Sequence, residues 1–464
     1  MTGLKKRIST SNNKLSRRRF LQLAALTAGS ATLGFPSLLR ARGVNQKLNV
    51  GFIGLGGMGS GRLREILNCG VNVSAFSDVD EKQFVAAREI LPANAPAPKT
   101  FVDFRDLLQS DVDAVVIATP DHWHAPIASS ALNAGKHVFG EKPLTHTISE
   151  ARALRELAGK FPRLATQMGN QGSASPNMRR AIELIQAGVL GQVREVHVWV
   201  PPSGSFKPGQ SFPSGKDPVP DGLHWEHWVG PSPFHPYKKN LYHPRAWRAW
   251  YDFGGGSIGD WGCHGLNLPV RALKLDYPTA ITPDVPGGYT DGYPKNVRLR
   301  FDFAARQDLP PVTIWWYDGG RLPAAGIVPK SVIDHLGEIP AEGVLILGEK
   351  GFTFGAAHPG ANYIQLADEK KLSGILNHAA TKHVPVTLPR TSGHLQEWVT
   401  ACTGGPATFS SFEVGGQLTE IILTGVVALR MRQRLDWNGA TMQALNAPAA
   451  EKFIQANYRT GWQT

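Results

Sequence analysis

Three side chains give this sequence the means to move a proton: Lys142, Asp260 and His264. Asp260 and His264 stand four apart in Ser257-Ile258-Gly259-Asp260-Trp261-Gly262-Cys263-His264, so a helix opening at Ser257 puts both on one face. An imidazole titrates near neutrality and suits accepting a hydroxyl proton while hydride leaves carbon. Asp260 can orient a substrate hydroxyl or the imidazole; the same pair also reads as a helix-capping Asp beside a packed His. Gly254-Gly255-Gly256 just before gives backbone freedom and room for a ligand. Lys142, within Glu141-Lys142-Pro143, offers an ammonium that can hydrogen-bond an alcohol oxygen and offset developing alkoxide charge. Taken alone, a Lys before Pro in a loop is equally a solvated charge.

These groups need a frame, and the first part of the chain supplies one. Leu48 to Ile53 reads as a buried strand, Gly54-Leu55-Gly56-Gly57-Met58-Gly59 follows at once, and Ser60 to Cys69 reads as a helix. In such a unit Gly54 permits the tight turn, Gly56 lets the backbone approach a pyrophosphate, and Gly59 lets helix and strand pack closely. The free N–H groups of the helix start face the phosphates. The next strand, Val71 to Phe76, ends at Ser77-Asp78. Asp78 lies 19 residues past Gly59, where a carboxylate holds the ribose hydroxyls and repels a 2′-phosphate, which favours NAD over NADP. A turn-capping Asp is the alternative there.

The alternation continues. Gln83 to Leu91 and Phe104 to Gln109 read as helices, and Ala114 to Ala118 as a continuous apolar strand of the kind found in parallel sheets. Thr119-Pro120-Asp121-His122-Trp123-His124 ends it. A helix over Ala125 to Ala134 and a strand over Lys136 to Gly140 lead to Glu141-Lys142-Pro143. Ligands of open α/β sheets bind outside the carboxyl ends of the strands, so these two strand ends should line one crevice.

The pairs His122/His124 and His224/His227 invite a metal reading, but no further cluster is spaced to complete a site, and no metal is expected. Six of the 12 Trp fall between residues 199 and 261. About half of them read as core. Trp247, Arg248 and Tyr251 lie just before the Gly run and are the candidates for substrate contact, since sugar C–H faces stack on aromatic rings and Arg can hydrogen-bond hydroxyls.

In combination the motifs resemble the glucose–fructose oxidoreductase / inositol dehydrogenase / MocA (Gfo/Idh/MocA) superfamily. The Gly54–Gly59 loop, Thr119-Pro120 with His124, Ala134-Gly135-Lys136-His137-Val138, Glu141-Lys142-Pro143, Gly188-Val189-Leu190-Gly191 and Asp252 through His264 carry the likeness, which spans roughly residues 47–464. The Asp-His-Trp-His form and the Trp-rich insert look most like its exported bacterial branch. The resemblance implies an α/β fold: a Rossmann domain over 47–170, then an α+β substrate domain over 171–464 with an open, mainly antiparallel sheet that often forms the oligomer interface. It implies Lys142, Asp260 and His264 as the catalytic set. It also places the Thr119-Pro120 strand end under the nicotinamide, with Trp123 and His124 shaping that pocket and Glu141 beside it. One departure stands out: many members carry an Arg just after the strand that ends the nucleotide domain, where this chain has Met168-Gly169-Asn170-Gln171-Gly172. Arg179 either replaces it or is a surface residue.

Composition narrows the class. At 42% hydrophobic and 19% charged residues the chain is neither disordered nor a multi-span membrane protein. Its net charge of +12 is concentrated in residues 1–47, which hold ten Lys/Arg and no acid, leaving about +2 on the rest. A nucleic-acid binder keeps its charge on the folded domain, so this charge speaks for targeting. Ser16-Arg17-Arg18-Arg19-Phe20-Leu21-Gln22 follows the twin-arginine export pattern, and a mild apolar stretch, Leu21 to Leu39, follows. A segment over 1–42 that engages the twin-arginine machinery is expected, with the mature protein periplasmic or tethered on the outer side. Cys69, Cys263 and Cys402 form neither a disulfide scaffold nor a zinc spacing.

In the second domain Val193 to Val200, Val297 to Phe303, Val312 to Tyr317, Val344 to Gly348 and Phe352 to Phe354 read as strands, and Gly393 to Thr403 and Phe412 to Arg432 as helices. Residues 201–245, rich in Pro, Gly and Trp, read as a long ordered loop that could fold over a dinucleotide and slow its release. The expected activity is NAD-dependent oxidation of a secondary hydroxyl of a sugar, polyol or glycoside, with a retained cofactor. An NAD-dependent glycosidase and a non-catalytic sugar-binding protein are the two alternatives.

Overall fold

Apolar runs alternate with amphipathic stretches from residue 49 to 168, and in the computed structural model, which describes residues 47–202 and 207–462, each run becomes a parallel strand. The strands are β1 (Asn49–Ile53), β2 (Asn72–Ser77), β3 (Lys99–Phe101), β4 (Ala114–Ile117), β5 (His137–Gly140) and β6 (Thr166–Met168). They form one sheet in the order β3-β2-β1-β4-β5-β6, all parallel. This is the doubly wound dinucleotide-binding order. All four residues of β4 are buried, as covering on both faces requires. The edge strands β3 and β6 have three residues each, too short for a readable pattern.

Helix α1 (Gly57–Ile66) begins three residues before the expected Ser60, because its first turn needs only N–H groups and tolerates the loop glycines. The helix over Ile148–Lys160 is fixed at its start by a capping box between Thr147 and Glu150.

Among the described residues the second sheet has ten strands: β7 (Val193–Trp199), β8 (Ala280–Asp284), β9 (Arg298–Phe303), β10 (Val312–Tyr317), β11 (Gly343–Gly348), β12 (Gly351–Gly355), β13 (Asn362–Leu366), β14 (Ser373–Gly374), β15 (Leu435–Asn438) and β16 (Gln443–Ala444). They run in the order β14-β13-β12-β11-β7-β10-β9-β8-β15-β16. Only β7 and β10 pair parallel; every other neighbour is antiparallel. The 20-residue helix Phe412–Met431, with mean hydropathy 1.4, is apolar enough to cross a membrane, yet 83% of that window is buried inside the protein. It packs between Ile148–Lys160 and Gly256–Gly265 and is a core helix. The twin-arginine pattern lies outside the described residues.

Candidate active site

The glycine loop does what its spacing predicts. Gly54 has φ +85°, and a β-carbon there would lie 2.7 Å from the Ala118 carbonyl. A β-carbon on Gly59 would run into the Gly54 carbonyl oxygen. Gly56 differs: a β-carbon there meets nothing within 4 Å, so the backbone borders open space. Gly56 is also the N-cap of α1 and brings no side chain to its N–H groups. Open space at an uncapped helix start is what a pyrophosphate needs. Asp78, at the end of β2, accepts from the Leu55 N–H at 2.7 Å, while the Asp80 N–H reaches its other oxygen at 2.9 Å. Burial pushes the Asp78 carboxyl up to about 6 against those two bonds.

Gly54, Gly56, Gly57, Met58, Asp78, Thr119, Pro120, Glu141 and Lys142 share one cavity of about 550 Å³ with Trp123, His124, Trp247, Arg248 and Asp260. The strand ends of β4 and β5 therefore do meet. His124 ties them, its ring nitrogens lying 2.9 Å from the Thr119 carbonyl and 2.7 Å from that of Pro143. The Glu141 carboxylate is occupied by Arg62 at 2.6 Å, which anchors the strand end to α1.

Of the catalytic candidates, Lys142 and Asp260 line this cavity, whereas His264 is buried and is not among its lining residues. A β-carbon on Gly256, with φ +62°, would collide with the Tyr293 ring, so only Gly opens the helix over Gly256–Gly265 here. That helix carries Asp260 and His264 one turn apart. Lys142 Nζ lies 2.5 Å from Asp260 Oδ1, and Arg248 Nε lies 3.2 Å from the same oxygen. Burial opposes ionisation of Asp260, but Lys142 and Arg248 outweigh it and hold the carboxyl below its ordinary range. His264 is buried, its Nδ1 without a hydrogen-bond partner. Burial first, then the Lys142 and His358 charges, drive its pKa well below the ordinary value. The imidazole is therefore neutral near pH 7.

Two residues at this centre escaped the sequence reading. His358 reaches in from the loop after β12; its ring lies 4.5 Å from that of His264 and 4.1 Å from that of Trp261. Asp121 is fully buried and accepts from the Gly255 N–H at 3.2 Å. Burial pushes its pKa up, opposed by Arg248, His124 and Lys142.

Several expectations need correction. Tyr251 does not line the cavity. It is buried, with the Arg430 guanidinium 5.0 Å from its ring. The 3₁₀ turn over Ala246–Ala249 presents Trp247 and Arg248 to the cavity, and the chain then turns Tyr251 inward. Leu55 and Gly59 are buried and serve the loop from behind. Arg179 is neither a surface residue nor in the cavity; it is fully buried, paired with Glu397 at 2.8 Å. The 201–245 segment is more than a loop: it contains the short helix Trp225–Val229. Trp225 and Trp228 stack at 4.6 Å, and Tyr242, Trp250 and Phe253 join them in a separate apolar cluster.

This segment clamps the nucleotide side. The Glu81 N–H donates to the Gly222 carbonyl at 2.9 Å, the His224 N–H to that of Val79 at 2.8 Å, and His243 Nε2 lies 3.1 Å from Asp80 Oδ2. Trp123 Nε1 donates to the Trp228 carbonyl at 3.1 Å.

The arrangement defines a class: a dinucleotide-binding fold whose crevice is bordered by the helix that carries Asp260, followed by a second, mainly antiparallel sheet. Residues 48–166 match the model of an oxidoreductase family with an NAD-binding Rossmann fold (Gfo/Idh/MocA), and residues 180–304 match that family's C-terminal alpha/beta domain. Together these cover more than half of the chain, which belongs to this family of NAD-binding oxidoreductase enzymes. It is 30% identical over 205 residues to a glycosyl hydrolase family 109 protein of Shewanella pealeana, a match covering 39% of this chain and 44% of that protein. It is 34% identical over 160 residues to an inositol 2-dehydrogenase of Corynebacterium glutamicum, covering 33% and 46%. The matches thus span less than half the length of these curated relatives. Among solved structures, a levoglucosan dehydrogenase in complex with NADH and levoglucosan superposes with a TM-score of 0.58 at 17% identity, over 84% of this chain and 99% of that one. An aldose-aldose oxidoreductase from Caulobacter crescentus gives 0.56 at 17%, over 84% and 100%. Both show a shared fold.

Proposed function

We propose that the protein oxidises a secondary hydroxyl of a sugar, polyol or glycoside and keeps its NAD through turnover, the hydride passing on to a second sugar or back to the oxidised substrate. The observation that carries this reading is the Lys142–Asp260 pair at 2.5 Å, lining the same cavity as the glycine loop, with the buried His264 one helical turn from Asp260. The residues fit NAD: open space at Gly56, an uncapped helix start and a carboxylate rather than a cation at Asp78. When bound, NAD supplies the hydride acceptor.

Lys142 Nζ donates to the substrate oxygen and offsets its developing negative charge. The His264 imidazole accepts the hydroxyl proton. Asp260 orients Lys142 and Arg248, and Trp247, whose ring lies 4.3 Å from the Arg248 guanidinium, walls the substrate end. The levoglucosan and aldose substrates of the structural neighbours support a carbohydrate.

Retention of the cofactor is supported by the clamp from residues 222–243 onto Val79–Glu81, and by the export pattern at Ser16–Gln22, since NADH released outside the cytoplasm has no evident route back to NAD. Export by the twin-arginine route is part of this proposal; Arg17→Lys with Arg18→Lys should leave the protein in the cytoplasm. The family 109 relative favours a second reading, glycoside cleavage with NAD reduced and reoxidised in each turnover. Purified protein, gel-filtered and then denatured, should release about one NAD per chain. Given a polyol together with a second sugar as hydride acceptor, it should accumulate oxidised polyol and reduced sugar in equal amounts; release of nitrophenol from nitrophenyl glycosides would support the second reading instead. Neither product from a nucleotide-loaded protein would overturn both.

A further inference from the structure

We propose that Arg245, carried by the clamping segment, is the cation that closes the dinucleotide site over its diphosphate; the proposal rests on the NAD-binding reading above. Arg245 lines the same cavity as Gly56 and Gly57 but comes from far along the chain. A β-carbon on Gly57 would lie 3.5 Å from Arg245 Nη2 and 4.0 Å from its Nε, so the guanidinium stands directly over the first turn of α1. A helix start carries about half a positive charge, and its N–H groups point outward. Here no side chain caps them, and the first turn holds no acidic residue. Among the described residues Arg245 makes no ion pair.

Two positive features thus stand close together on the wall of one cavity, next to the open space at Gly56, and each is unfavourable to the other until an anion binds both. A diphosphate satisfies both. The guanidinium presents paired N–H donors that match phosphate oxygens, while the helix start binds them through its own N–H groups. The flanking contacts hold Arg245 in place. His243, two residues before, is latched to Asp80 at 3.1 Å, and Trp247, two residues after, is buried in the cavity wall. Asp80 in turn follows Asp78 by two, so the segment is pinned next to the ribose-binding carboxylate. The clamp therefore reaches both the ribose end and the phosphates.

The test uses the full-length protein freed of nucleotide, with NAD, ADP and adenosine titrated by calorimetry. Loss of a charge-assisted hydrogen bond predicts that Arg245→Ala weakens NAD and ADP by roughly 10- to 100-fold. Adenosine, which lacks the phosphates, should bind as it does to the unaltered protein, and Arg245→Lys should recover part of the ADP affinity. Unchanged ADP affinity in Arg245→Ala would overturn the proposal. So would an equal loss for adenosine, which would show that the substitution acts by loosening the segment. Failure of the unaltered protein to bind NAD at all would instead overturn the cofactor reading beneath it.

Discussion

Lys142→Ala removes a positive charge on which two neighbours depend, so it should leave two distinct marks. The ammonium lies 2.5 Å from Asp260 Oδ1 and is one of the charges that depress the His264 pKa. In the proposed reaction it donates to the reacting oxygen, and loss of one such donor costs about 10²–10³ in kcat, or roughly 3–4 kcal/mol. Stranding a buried carboxylate typically costs about 3–5 kcal/mol of stability. Arg248, 3.2 Å from the same oxygen, remains to hold Asp260, so the loss here should fall below that range and the protein should fold. The second mark is in the pH profile. His264 must be neutral to accept a proton, and activity is lost as pH falls through its pKa. In the unaltered protein that acid limb lies well below the ordinary imidazole value. Deleting Lys142 removes one of the repulsions that put it there, so the residual activity should show an acid limb at higher pH. The assay is the rate of substrate oxidation against pH for both proteins, with NAD affinity measured separately to confirm an intact cofactor site. A variant with unaltered kcat, or an acid limb that stays in place, would refute the reasoning.

His264→Ala should lower kcat by about 10²–10⁴ while NAD still binds, checked by single-turnover kinetics and nucleotide titration. The Asp78 carboxyl, pushed up to about 6 by burial, must be ionised to accept from ribose hydroxyls. NAD affinity should therefore fall as pH drops through that value, and Asp78→Asn should bind weakly with no such dependence by calorimetry. Two glycines of one loop should behave oppositely. Gly56→Ala enters open space and should keep its melting temperature but lose NAD affinity, whereas Gly59→Ala meets the Gly54 carbonyl and should cost about 1–3 kcal/mol of stability in thermal unfolding.

What the sequence revealed, and what it hid, follows from how far apart in the chain the cooperating residues lie. Asp260 and His264 were legible as a pair because four residues make one helical turn, and the glycine loop because its three constraints fall within six residues. The strands β1, β4 and β5 were legible because burial on both faces leaves an unbroken apolar run. Tyr251 was misread because nothing periodic in an irregular segment tells which of Trp247, Arg248 and Tyr251 faces inward; only the 3₁₀ turn settles it. His358 reaches His264 from a loop 94 residues on, and no local pattern marks it. The Trp-rich segment hid its role for a further reason. Its aromatic residues mostly bury one another, so the composition that suggested a sugar platform instead builds a rigid support. That support matters because Arg245 is itself exposed, and a flexible guanidinium gains little from a distant phosphate. The His243–Asp80 latch and the buried Trp247 fix the backbone on either side of it, so less chain entropy is lost on binding. The segment's stability and the cofactor's residence time are thereby coupled. A substitution that loosens the Trp225–Trp228 stack should shorten that residence, read as faster loss of nucleotide from the loaded protein.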